Sequence, residues 1–474
     1  MSTEAPSKTL SPKTLPLGKT IAFSSLSMPL SALGLAIAVY LGPHYATNLG
    51  VSLTLIGAAW GTVRLLDLAV DVALAAMMDR TRTPWGRYRV WLVAGVPIMA
   101  LAVWMLFIGA PHGFSSVWLV SWLLVYYLGT SIVGLAHSAW AAKLAPNYHD
   151  RSRLFGALNA IGVLGAVVAI AIPIVSPMLK IPDSQTIPLM GWLVVLTLAP
   201  CALIVAFTNR EPIEPDDPGA HLKLTDYGRL FMKPDLLRMF LAQMALTLGP
   251  GWMSALYIFF FRDSRGFDGG QLSILLGIYI FAGIAGAPAT ARAAMRFGKH
   301  RTLMVTTTAY SLGLMTVLLI PKGSMGLAAP MMFWCGAMAS GFDLMIRAML
   351  ADVGDEVRLE QGREQMSLIY AINTLAAKIA SAFAIILTYP LLDKLGYVPA
   401  LAGRNTPQAI HNLEMSYIIG PIVFVMLGGA CVIGWKLNAE RHGEIRAELE
   451  RRDALYAEAP VIETLEGPSP VVAK

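Results

Sequence analysis

The chain has 474 residues, of which 56% are hydrophobic and only 14% are charged. With a mean hydropathy of +0.60, it has too little polar surface for a soluble protein of this length. The net charge of +6 sits in loops, as set out below, and is not a nucleic-acid footprint, so no nucleic-acid partner is expected.

In chain order, apolar runs able to cross a bilayer as helices of about 20 residues are predicted at residues 21–46, 53–78, 89–110, 115–142, 154–178, 186–207, 236–261, 271–294, 302–320, 327–351, 366–391 and 414–436. The first is too long for a removed signal peptide and lacks its cleavage pattern. No soluble core explains so many full-length spans. The expected fold class is an all-α membrane protein with twelve transmembrane helices, multi-pass in the cytoplasmic (inner) membrane.

Lys and Arg alternate across the connections. One set carries Arg80, Arg82, Arg87 and Arg89, then Lys143, Arg151 and Arg153, then Arg292, Arg296, Lys299 and Arg301, among others. The alternate set carries only Lys180, Arg262, Arg265, Lys322, Lys394 and Arg404. The positive-inside rule then places both termini in the cytoplasm. Cys201, Cys335 and Cys431 fall inside apolar spans, far apart, and imply neither a disulfide frame nor a metal site.

Residues 209–235, "NREPIEPDDPGAHLKLTDYGRLFMKPD", form a polar, proline-rich linker with six spans on either side. The expected layout is a cytoplasmic N-terminal tail (1–20), a six-helix bundle (21–208), the linker, a second six-helix bundle (236–436) and a charged cytoplasmic tail (437–474). "WGRYR" (85–89) and "FGKHR" (297–301) are a weak repeat, each following the second span of its half. Such halves suggest a transporter that rocks about a midplane site. A small-molecule substrate, lipid contacts and a monomer are expected, with no cofactor beyond a coupling ion.

Asp67 and Asp71 lie within the second span, where an ionised group costs on the order of 2.5–3.5 kcal/mol by insertion scales. They are four residues apart and share a helical face with Arg64. An internal salt bridge is one reading. The other is a cation site: paired carboxylates hold sodium or share a proton. Shifting by 212 residues, the offset of the loop repeat, reaches Tyr279 and Gly283. The second half therefore has no matching pair, which favours one dedicated site. Asp79, at the basic end of the span, reads as topology or a latch between helices.

Three blocks carry a family resemblance: "RLLDLAVDVALAAMMDRTRTPWGRYRVWLVAG", "HSAWAAKLAPNYHDRSRLFG" and "ADVGDEVRLEQGREQMSLIYAINTLAAKIASAF", the last followed by "LGYVP". They resemble the glycoside–pentoside–hexuronide:cation symporters, the melibiose-carrier group of the major facilitator superfamily. The resemblance implies two six-helix bundles, alternating access and coupled import of a sugar, glycoside or uronide. It implies that Asp67 and Asp71 bind the cation, that Trp140 belongs to the sugar site, and that Lys378, Thr374 and Asn373 (in place of a glutamine) lie near it.

The departures are informative. The carrier's sugar-gripping aspartates in helices one and four are absent, and the helix-four position reads Ala136. Its sodium-site asparagine and threonine become Val70 and Val133. Sodium needs several oxygen ligands and a proton needs none, so proton coupling is favoured over sodium. The remaining polar positions stay open between packing and substrate contact. His137 shares a face with Trp140. Asp343 and Arg347 are spaced as an internal ion pair. Lys378 needs a partner from another helix, with Asp67 or Asp71 the natural candidate. In "TLGPGWMSALY", Pro250 is expected to break or bend the seventh span and turn Trp252 and Tyr257 toward a cavity. Pro29 is a second candidate bend.

Alternative substrates are a non-sugar organic anion, suited to Arg64, Arg347 and Lys378, or an amphiphilic solute. A membrane sensor is a more distant reading. The enzyme reading fails on motifs. A diphosphate-binding prenyltransferase needs an acid-rich motif in each half, and no HExxH, GxSxG or P-loop pattern occurs.

Overall fold

A computed structural model describes residues 15–111, 113–144, 148–209, 211, 233–362 and 365–458. Most of the linker, the extreme N-terminus and the last sixteen residues lie outside the described residues, as does the side chain of Asp79. Twelve helices are long and apolar enough to cross a membrane. They are α1 (Leu17–Asn48), α2 (Leu53–Arg80), α3 (Tyr88–Phe107), α4 (Ser116–Leu144), α5 (Tyr148–Val175), α6 (Asp183–Thr208), α7 (Pro234–Phe259), α8 (Gly269–Phe297), α9 (Lys299–Thr316), α10 (Met325–Gln361), α11 (Met366–Lys394) and α12 (Pro407–Ala430). A charged helix, α13 (Ala439–Glu458), follows.

Local chemistry sets the ends. Ser52 Oγ accepts the Leu55 N–H at the start of α2, and Asp268 and Gln271 form a capping box at α8. The loop repeat is a backbone repeat as well. Gly86 and Gly298 sit at φ 112° and 89°, where side-chain-bearing residues are strained.

Of the two prolines, Pro29 accompanies a break in its helix, as expected, and Pro250 does not. Pro29 lacks an N–H, so the Ser25 carbonyl loses its helical donor. Here α1 divides, with Leu17–Ser24 and Ser27–Leu35 flanking a two-residue turn. A π-helical stretch, Ala36–Leu41, follows. Pro250, by contrast, leaves α7 continuous to Phe259. Its flanking glycines serve packing. A Cβ at Gly249 would meet Val425 Cγ2 at 2.7 Å on α12, and one at Gly251 would meet Ala384 at 3.0 Å on α11.

Contacts repeat with an offset of six helices. In the first half α1 packs on α5 and α6, α2 on α4, and α3 on α4 and α6. In the second α7 packs on α11 and α12, α8 on α10, and α9 on α10 and α12. Between halves, α2 meets α11, α5 meets α8, and the π-helical part of α1 meets α7. This is a two-bundle arrangement about an axis along the membrane normal.

The bundles touch unevenly along that axis. Leu15 pairs with Asp150 at the start of α5, and α13 packs on α10, whose end carries Arg358, so both described chain ends lie on the face with the basic loops. At the opposite face the seam is sealed. Tyr40 and Ser273 share a buried hydrogen bond of 2.9 Å, Arg262 donates to Thr47 at 3.3 Å, and Thr54 donates to Asp393. Glycines let α1 and α2 approach α11. A Cβ at Gly42 would meet the Tyr389 hydroxyl at 2.6 Å, one at Gly57 would meet Pro390 at 2.9 Å, and one at Gly61 would overlap Ile386. Nearer the basic face, Val72 and Met77 of α2 and Leu375 of α11 are exposed.

Candidate functional site

The charges of α2 point inward rather than to lipid. Asp67 is 3% exposed. Its Oδ1 accepts from Ser131 of α4 at 2.8 Å, and its Oδ2 accepts from Arg64, one turn earlier, at 3.3 Å. The Arg64 guanidinium lies 4.9 Å from the Tyr127 ring centre and reaches Ser381 of α11 at 3.5 Å. Tyr127 and Ser131 are themselves four residues apart on α4. One helix face thus holds both members of the Arg64–Asp67 pair.

Asp71 is held differently. Its Oδ2 accepts from Lys378 of α11, across the seam between bundles. Its Oδ1 is buried with no hydrogen-bond partner. The site therefore places two carboxylates against two cations. One pair lies within the first bundle, and the other bridges the two. A buried acceptor without a donor is costly.

His137 and Trp140 meet at Phe23 of α1. Phe23 stacks on His137 at 4.6 Å and meets Trp140 edge-on at 5.5 Å. The His137 Nε2–H donates to the Phe23 carbonyl at 3.0 Å. Trp140 is fully buried. Beside this cluster a cavity of about 520 Å³ is lined by Ser27, Ser31, His137, Ser138 and Asn159, with apolar residues of α4 and α5. Its lining contains no Asp, Glu, Lys or Arg.

The other predicted positions separate. Asp343 and Arg347 pair at 2.6 Å, but with side chains 57% and 64% exposed the pair is open rather than internal. Thr374 is exposed and bonds back to the Tyr370 carbonyl. Asn373 turns away, its Nδ2 donating to Gln243 of α7 at 3.2 Å. Trp252 is also turned away, contrary to expectation. Its indole donates to the Ser416 carbonyl at 3.0 Å, and Gly420 of α12 leaves room for its ring. Tyr257 is buried and bonds the Leu272 carbonyl at 2.6 Å. The helix α7 continues through Pro250, and both side chains lie in the bundle interior.

Sequence reasoning missed Ser131, Tyr127 and Phe23. The first two carried a signal: their i, i+4 spacing on α4 matches that of Asp67 and Asp71 on α2. Phe23 carried none. It is reached through a helix break whose partner is distant in sequence.

Comparison with known proteins accords with this architecture. A family described as MFS/sugar transport protein matches residues 22–439. The isoprimeverose transporter of Lactiplantibacillus pentosus is 24% identical, over 88% of this chain and 88% of its own length. The glucuronide carrier protein homolog of Escherichia coli is 22% identical, over 88% of this chain and 91% of its own. Among solved structures, the nucleoside transporter NupG superposes with a TM-score of 0.64 at 14% identity, covering 89% of this chain and 100% of that one. A bacterial homolog of the human lysosomal transporter Spinster, in an inward-facing and unoccupied conformation, gives 0.61 at 14% identity, covering 92% and 97%. These two share the fold. The chain belongs to the MFS/sugar transport protein family, within the glycoside–pentoside–hexuronide symporters of the major facilitator superfamily, and is a multi-pass membrane transporter rather than an enzyme.

Proposed function

We propose that the protein is a proton-coupled symporter of a neutral sugar or glycoside, working by alternating access in the cytoplasmic membrane with its basic face in the cytoplasm. The observation that carries this reading is the Asp71–Lys378 bridge between bundles. A proton on Asp71 removes the charge that holds Lys378 and releases the bundles from one another at the midplane.

Ligand supply favours the proton over sodium. Asp67 is already matched by Arg64, and Asp71 by Lys378. Either ion would loosen one of these pairs, but sodium also needs several oxygen ligands, whereas a proton joins the carboxylate directly. Ser131 contributes one oxygen near Asp67, and Val133 is buried without contributing any.

The same pairing bears on the solute. Arg64, Arg347 and Lys378, the cations that would suit an anion, are each matched by a carboxylate. The cavity beside His137 offers hydroxyls, an amide and an imidazole. Its volume lies within the roughly 300–1,000 Å³ of small-molecule sites. Both features support a neutral, hydroxyl-rich solute over a uronate. The relatives named as an isoprimeverose transporter and a glucuronide carrier protein homolog bracket that choice.

The test is uptake by purified protein in liposomes. Isoprimeverose and a glucuronide are offered with a pH gradient, a sodium gradient or neither. Accumulation of the neutral sugar driven by the pH gradient alone is expected. Accumulation that requires sodium and ignores pH contradicts the coupling, and a preference for the glucuronide contradicts the substrate class.

A further inference from the structure

The break in α1 places Phe23 at the end of a short lever. The segment Leu17–Ser24 is held at its start, where the Leu15 N–H donates to Asp150 at 3.1 Å and Arg153 donates to the Leu15 carbonyl. Its other end is free of helical continuity at the Ser25–Leu26 turn. Phe23, in its last turn, lies against His137 and Trp140.

The Trp140 Nε1–H is buried and has no partner. Buried indole N–H groups ordinarily find an acceptor. Trp140 therefore holds an unmatched donor, while its ring is met edge-on by Phe23, whose side chain supplies no acceptor. His137, which bonds the Phe23 carbonyl, and Ser27, just past the break, already line the neighbouring cavity. A ring with an apolar face and outward hydroxyls would replace the phenyl contact and satisfy the orphan N–H.

We propose that Phe23 is a built-in competitor: it occupies Trp140 in the empty protein, and α1 swings it away at the Ser25–Leu26 turn when a pyranose ring takes its place. This rests on reading the cavity as the sugar site. The exchange makes binding conditional on displacing a side chain, so the observed affinity is the intrinsic one reduced by the fraction of uncapped protein. It also links solute arrival to movement of the Leu17–Ser24 segment, whose start is tied to Asp150 and Arg153 of α5.

The first experiment needs no solute. Hydroxyl-radical footprinting of the detergent-solubilised full chain compares wild type with Phe23→Ala and Phe23→Leu, the latter preserving bulk if the alanine variant fails to fold. Trp252 serves as a buried reference and Trp85 as an exposed one. Trp140 labelling is expected to rise several-fold in the variants while Trp252 stays protected. Unchanged Trp140, or a joint rise at Trp252, overturns the cap. The second experiment measures isoprimeverose uptake in proteoliposomes. Half-saturation is expected to fall by roughly threefold to tenfold in Phe23→Leu, and the gain should vanish when Trp140→Ala is added. A rise in half-saturation makes Phe23 a wall of the site and overturns the proposal. If wild type takes up no isoprimeverose, that choice of substrate fails, while Trp140 labelling still decides the cap.

Discussion

The α2–α11 seam is closed in two different ways along its length. Toward the face opposite the basic loops it is closed by shape, with Gly57 and Gly61 of α2 admitting Pro390 and Ile386 of α11. Further toward the basic loops it is closed by charge, with Asp71 on α2 holding Lys378 on α11. A packed seal responds to volume and is indifferent to protons. A charged bridge can be opened by adding a proton and restored by losing it. The comparison teaches that one seam can carry both a pivot and a lock.

The largest effect is expected from breaking the lock. Asp71→Asn should leave the solute able to equilibrate but abolish gradient-driven accumulation, so that the final internal and external concentrations match. Uptake of isoprimeverose under a pH gradient, followed to completion, checks this.

Breaking the pivot comes next. Gly61→Val forces a branched side chain against Ile386, and overpacking of this kind costs about 1–3 kcal/mol. The sealed face should open and the basic face close more often. Thiol labelling of a cysteine placed at Thr374, now exposed, should slow, while thermal stability falls. Gly61→Val combined with Ile386→Ala should restore labelling, because the small partner returns the lost volume.

A finer change sharpens the same contrast. Tyr40→Phe removes one buried cross-bundle hydrogen bond and leaves Ser273 without that partner. Such a bond contributes about 0.5–1.5 kcal/mol. The labelling rate at the Thr374 position should fall only a few-fold, less than in Gly61→Val.

The smallest effect is expected at the tail. Arg358 of α10 pairs with Asp453 of α13 at 2.9 Å, with side chains 37% and 54% exposed. Exposed pairs contribute about 0–1 kcal/mol. Asp453→Asn should therefore leave accumulation unchanged and shift the melting temperature little, as a thermal-shift measurement would show.

Much of the architecture was legible in the sequence, for a physical reason. A membrane span must satisfy its backbone internally and bury few charges, so long apolar runs are conspicuous. Asp67, Asp71 and Lys378 were conspicuous for the converse reason: an ion in such a run is costly and needs a partner. What stayed hidden were relations between helices. Pro29 and Pro250 look alike in sequence, yet α1 divides at the first and α7 runs through the second. Around Pro250, Gly249 and Gly251 admit Val425 and Ala384 of helices distant in sequence. Asn373 and Trp252 were misdirected for the same reason. Their partners, Gln243 and the Ser416 carbonyl, are set by helix rotation.

The central claim is that Asp71, through Lys378, couples proton movement to the solute. The most direct measurement is luminal pH in sodium-free proteoliposomes, read by a trapped fluorescent dye when isoprimeverose is added outside. Wild type should acidify the lumen in step with sugar entry, and Asp71→Asn should exchange sugar with no pH change. Continued proton entry through Asp71→Asn, or sugar entry in wild type without any proton, would contradict the account.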